Sequence, residues 1–400
     1  MSIQCGSGFS SKRSPEEASQ EAFKMAFQNA GTDSCDIVIL FSAVGYDQQR
    51  LAENIRKSSP GAMLIGCSGE GVISNDFINE TPFALSILII KSNEMTFSVE
   101  CITDVKKNCT EAGKRLGELV HPKLRDDTMS IWLFPDHMSM DYDAFLSSFE
   151  IGAASDRHIP IFGGGAADNW QFKQTYQFCN DEVLSDSVVC LIMSGPLSVI
   201  SDISHGCIPI GPEREITKSE GNILYEIDNQ KVTDVLQEYI PEEDVANWHK
   251  LGIRCLCLGL KAPDELKKVY DDFIVRAMPV VDFETGSGRV STGLKPGTKI
   301  NMISRSPEKL IPYSKKMAEN ISEKLQGENP LFILQIDCAG RSKVLRAAEK
   351  DEIQKNLHAI TSTDVPWIGM YCYGELGPVA DRNYFHNFTV ILAAFYRNQK

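Results

Sequence analysis

One unit of order recurs along this chain and limits the folds open to it. A short apolar strand is followed by a helix and a second apolar strand that stops in a glycine-rich turn; two more apolar strands follow. In the first copy, strand 37–41, helix 47–57 and strand 62–65 run into Gly66-Cys-Ser-Gly-Glu-Gly71. Strands 84–90 and 96–100 come next, read as an antiparallel pair turning at 92–94. The second copy repeats the order: 130–134, 141–153 and 159–162 lead into Gly163-Gly-Gly-Ala-Ala-Asp168, with a strand pair at 187–193 and 197–203. The spacing is that of an internal duplication of about a hundred residues. A third, partial copy has strand 331–336, helix 341–357, strand 367–371 and strand 388–394.

Strands that alternate with helices and carry inserted strand pairs predict an α/β protein of mixed α+β kind, with mixed sheets and not an all-parallel one. Residues 1–13 are polar, with Gly6 and Gly8, and read as a loosely held tail. Pro15 after Ser14 starts a helix. The expected organisation is therefore a tail and helix over 1–29, a duplicated domain over 30–220 (about 30–120 and 121–220), and a second domain over 221–400. The break is set at the polar stretch Ser219-Glu-Gly-Asn222.

Composition excludes some functions. The formal net charge is −14 and the pI about 5.1, which disfavours nucleic acid and anionic membrane as partners. No apolar run reaches membrane-spanning length, and no apolar leader opens the chain, so a cytoplasmic protein is expected. The 12 cysteines are scattered through apolar segments and read as buried reduced thiols, Cys255-Leu-Cys257 among them. Gly163-Gly-Gly165 lacks the rest of a phosphate loop.

In such sheets ligands sit outside strand ends. The third glycine turn is the richest in chemistry, because Tyr371, Cys372, Tyr373, Gly374 and Glu375 lie together, with His386-Asn387 shortly after. Glu375 suits an amine, and Arg341 suits a carboxylate or an internal pair with Asp337 or Glu375. A thiol enzyme would use Cys372 or Cys67 with His386 or His205 as base, but no spacing fixes such a dyad, and a non-enzyme is expected.

Several motifs together resemble one family. Gly66-Cys-Ser-Gly-Glu-Gly71, Phe162-Gly-Gly-Gly165, Gly206-Cys-Ile-Pro-Ile-Gly-Pro212 and Thr217-Lys-Ser-Glu-Gly-Asn222 are similar to signatures of the amino-terminal FIST sensory domain. Asp337-Cys-Ala-Gly-Arg341, Tyr373-Gly-Glu-Leu-Gly377 and Phe385-His-Asn-Phe-Thr389 resemble those of its carboxy-terminal partner. The resemblance implies a sensor that binds a small ligand, amino acids among those proposed, and regulates a separate histidine kinase or diguanylate cyclase. The expected ligand set is Cys67, Ser68, Gly164, Gly165, Asp337, Arg341, Tyr371, Tyr373, Gly374, Glu375 and Asn387. Stand-alone members also resemble haem-based nitric-oxide sensors, which makes His205, Cys207 and His386 candidate haem ligands.

Overall fold

The computed structural model describes residues 3–75, 77–136, 141–240, 257–361 and 365–397; His137, His249 and Cys255 lie outside them. The third copy has its own hairpin after the glycine turn, and the three copies close on one another. In each copy two strands run parallel: Ile37–Ser42 with Met63–Ser68, Thr128–Pro135 with Ile161–Gly164, and Pro330–Cys338 with Trp367–Cys372. A third strand lies antiparallel to the first of each pair: Leu85–Ser92, Ser187–Ser194 and Val390–Arg397.

Each of these three sheets reaches six strands by borrowing from its neighbours. The hairpin after the second copy's glycine turn, Gln177–Cys179 with Glu182–Leu184, pairs with Met63–Ser68 of the first. The third copy's hairpin, Glu375–Val379 with Arg382–His386, pairs with Ile161–Gly164 of the second. The first copy's hairpin, Gly71–Ser74 with Phe77–Asn79, pairs with Trp367–Cys372 of the third. Edge strands pass the other way. Thr96–Thr103 joins the second sheet and Leu197–Ser204 the third. The strands expected to form antiparallel pairs with their predecessors therefore go to different sheets.

Ile3–Ser10 is the corresponding edge strand of the first sheet, paired along Leu85–Ser92. The expected loose tail is a strand. It holds in the first sheet the edge place that Thr96–Thr103 and Leu197–Ser204 hold in the other two.

Two helices cover each sheet, and local chemistry sets their ends. Ser14, Asp47, Asn108 and Asp141 each accept a backbone N–H in the first turn of Pro15–Ala30, Gln48–Ser58, Cys109–Val120 and Tyr142–Ala153. The single helix expected over 341–357 is two, Ala339–Ser342 and Ala347–His358. Inner faces of the three sheets meet in a common core that holds Phe41, Trp132, Phe134, Phe332 and Phe395. Outer faces bury separate apolar clusters under their own helix pairs.

Cys207–Glu220 through Lys299–Arg305 form a fourth, antiparallel sheet inserted ahead of the third copy. The break expected at 220 falls in the turn between paired strands Cys207–Glu220 and Ile223–Ile227. Among the described residues no helix is long and apolar enough to cross a membrane.

Candidate functional site

The glycine turns meet where the three parallel strand pairs end. Glu70 N–H donates to Tyr371 O at 2.8 Å, Ala167 N–H to Ser68 O at 2.9 Å, and Tyr373 N–H to Gly165 O at 2.9 Å. The ring needs close backbone approach, and glycine allows it: a Cβ on Gly164 would lie 2.6 Å from Cys372 Sγ. Gly165 and Gly374 are joined by a further backbone bond of 2.9 Å. Ser68 donates to Ala167 O at 2.7 Å, and Cys67 packs its sulfur 3.5 Å from Met370 Sδ. These expected ligand residues build the junction from its inside.

Chemistry accumulates on one outer side of the ring. Tyr371 and Tyr373 are two residues apart and share a face, within the cluster under the third copy's helices. Asp337 lies in register with Tyr371. Arg341 follows one turn later on the short helix Ala339–Ser342, its Nε 3.6 Å from Asp337 Oδ1. Both side chains are buried, at 3% and 2% exposure. Yet Arg341 Nε, Arg341 Nη1 and Asp337 Oδ1 have no hydrogen-bond partner among the described residues. Burial raises Asp337, and the Arg341 charge opposes the rise. The first copy's hairpin adds Glu80, which accepts from Ser342 Oγ at 2.7 Å and pairs with Lys350.

The first and second copies also supply groups that the sequence reading did not single out. Tyr373 OH donates to Glu70 Oε2 at 2.9 Å, and the Trp170 N–H points to the same carboxylate at 3.0 Å. Burial pushes Glu70 up to about 7, opposed by Tyr373, Lys343 and the Trp170 N–H. Asp168 accepts N–H groups from Phe172, Lys173 and Gln174. Its loop lays Phe172 and Trp170 against Tyr373, with ring centroids 5.2 and 5.4 Å apart. Only the carboxylates within the glycine motifs could have pointed here, since the pairing with Tyr373 spans some three hundred residues of chain for Glu70.

Other expected residues lie elsewhere. Glu375 does not face Arg341. Gly374 takes φ 99° and turns the chain, so Glu375 points into the interior at 0% exposure. There it accepts from Thr389 N–H at 3.0 Å and Thr389 Oγ1 at 2.8 Å. Asn387 accepts from Ala277 N–H at 2.9 Å, tying the inserted sheet to the third copy.

The histidines do not fit haem. His205 Nδ1 accepts from the Cys207 N–H at 2.9 Å, while Nε2 faces Phe273 O at 3.1 Å and Asp271 at 3.4 Å. Against burial, hydrogen bonding to Asp271 pushes the ring up to about 10, and with both nitrogens engaged neither has a lone pair free for a metal. His386 Nε2 meets Gly377 O at 3.2 Å, and burial pushes the ring down to about 3. Its Nδ1 has no hydrogen-bond partner among the described residues and is sealed in the interior. Cys207 is buried beside Cys257. No cluster of three or more metal-ligating side chains occurs among the described residues. Burial pushes the Cys67 and Cys372 thiols up, and neither sulfur is hydrogen-bonded to an imidazole among the described residues.

Two open cavities lie away from the junction. One of about 500 Å³ is walled by Phe149, Arg157 and Tyr384, the other of about 250 Å³ by His205, Asp271 and Tyr313. Arg157 is already spent on Arg125 O and Thr128 O in the first, as is the His205 ring in the second.

Residues 36–230 match the FIST N domain and residues 233–378 the FIST C domain. An uncharacterised protein of Methanocaldococcus jannaschii is 25% identical over 82% of this chain, which spans 64% of that relative's length. An uncharacterised Mycobacterium tuberculosis protein is 22% identical over 98% of this chain and 100% of its own. A solved chorismatase covers 99% of both chains at 9% identity and a TM-score of 0.36, too distant to inform fold or activity. By its two matched segments the chain belongs to the FIST-domain proteins, whose FIST domains sense small ligands in signalling proteins.

Proposed function

We propose that the ligand is a zwitterion of α-amino-acid type, held where the strands of Asp337 and Tyr371 end. Its carboxylate lies on Arg341 and its ammonium on Asp337. One observation carries this reading: a buried ion pair held at 3.6 Å, with two guanidinium nitrogens and one carboxylate oxygen unmatched. Unmatched buried charges cost several kcal/mol. A zwitterion supplies an acceptor to one and a donor to the other. All three copies contribute to the junction, so a ligand there favours one arrangement of the copies over another, and a partner protein reads the difference. A histidine kinase or diguanylate cyclase as that partner rests on family resemblance alone.

The test is a thermal-shift and calorimetric screen of the full chain against amino acids. Binding should raise the Tm of the wild type. The double variant Arg341→Met/Asp337→Leu should stay folded, since apolar replacement of a buried pair is often neutral or stabilising, and should lose the response. An unchanged response in that variant would place the ligand elsewhere.

A further inference from the structure

Resting on that reading, we infer that the site selects basic amino acids, with the side-chain cation held on the face of the Trp170 ring, near Glu70. Two acidic positions line the same face. Asp337 stands beside Tyr371, and Glu70 is bonded to the Tyr373 hydroxyl at 2.9 Å.

The second position is built for a cation. Trp170, Phe172 and Tyr373 pack on one another, with centroids 5.2 to 5.9 Å apart, and the remaining ring face of Trp170 attracts ammonium and guanidinium groups. Asn169 Oδ1 is a buried acceptor without a partner among the described residues. The loop holds its shape at a cost, because Asn169, Trp170 and Phe172 all take left-handed backbone, at φ 56°, 58° and 50°. The chain also supplies a stand-in for the ligand. Lys343, two residues beyond Arg341, lays its ammonium 5.3 Å from the centre of the Trp170 ring and within electrostatic reach of Glu70. A lysine or arginine ligand would displace it.

Calorimetry on the full chain should compare L-lysine, L-ornithine and L-arginine with L-norleucine, which has a chain of similar length but lacks the terminal cation. Lysine should bind at least about tenfold more tightly than norleucine. Trp170→Leu and Glu70→Gln should each weaken lysine more than norleucine and so remove most of that preference. Lys343→Met should tighten lysine several-fold. Equal affinity for lysine and norleucine, or a preference that survives both Trp170→Leu and Glu70→Gln, would overturn the basic selectivity and leave the Arg341–Asp337 reading intact. No binding by any amino acid to the folded wild type would overturn both.

Discussion

At the residue scale, Glu375 shows what repetition with variation can do. The three hairpins place Val72, Gln177 and Glu375 at equivalent positions, each paired with the strand before its junction. Their neighbours at the start of the antiparallel strand change in step. Ala84 accompanies Val72, Ser187 bonds Gln177 at 2.7 Å, and Thr389 bonds Glu375 at 2.8 Å. Only the third copy has an acid there, and burial pushes it up to about 8 from the ordinary 4.5. Between those pH values the folded chain keeps a proton that the unfolded chain has released. Stability therefore falls as pH rises through the window, by roughly 3–5 kcal/mol in full. His386 acts on the other side. Pushed down to about 3 from 6.5 by burial, it lowers stability as pH falls below 6.5. Urea unfolding of Glu375→Gln should match the wild type near pH 4.5 and exceed it at pH 8.5. Parallel pH profiles for the two proteins would show that the carboxyl is not sealed from water.

At the element scale, the first strand was hidden by its composition. Ile3–Ser10 alternates poorly and carries Gly6 and Gly8, so it reads as tail. Its glycines are there because helix Pro15–Ala30 lies directly on it. A Cβ on Gly8 would come 2.0 Å from Ala22 O, and one on Gly6 2.1 Å from Ala26 O. The helix answers with Ala18, Ala22 and Ala26 on its buried side. Gly8→Val should therefore destabilise the protein by at least about 2 kcal/mol, seen as a lower urea midpoint at unchanged slope. An unchanged midpoint would mean that strand and helix can separate freely. The misread strand pairs have a similar cause. A short turn after Leu85–Ser92 suggests a hairpin, but Thr96–Thr103 finds its hydrogen bonds on Ser187–Ser194 of the next sheet. Local sequence specifies the turn and not the partner.

At the scale of the whole molecule, three copies exchange hairpins one way and edge strands the other, so none can complete its sheet alone. The exchange closes because Ile3–Ser10 takes in the first sheet the edge place that Thr96–Thr103 and Leu197–Ser204 take in the other two. The turns after Leu85–Ser92 and Ser187–Ser194 correspond to the gap between Arg397 and Ile3, and Arg397 bonds Glu94 at 2.7 Å beside one of them. A circular permutant with the termini joined by a short linker and the chain reopened at Gly195-Pro196 should fold, with near-native circular dichroism and cooperative melting. Failure to fold would mean that the three-way closure depends on where the chain begins.

The sequence by itself determined the strand–helix–strand order of the three copies, their capped helices and the three glycine turns, because propensity, capping and strand alternation act over a few residues. Which strand joins which sheet was decided by the tertiary structure alone, through hydrogen bonds between segments far apart in the chain. The same holds for the site: Glu70, Trp170 and Lys343 meet Tyr373 only when three copies close, and Glu375 leaves that face because one left-handed glycine reverses the alternation that placed it there.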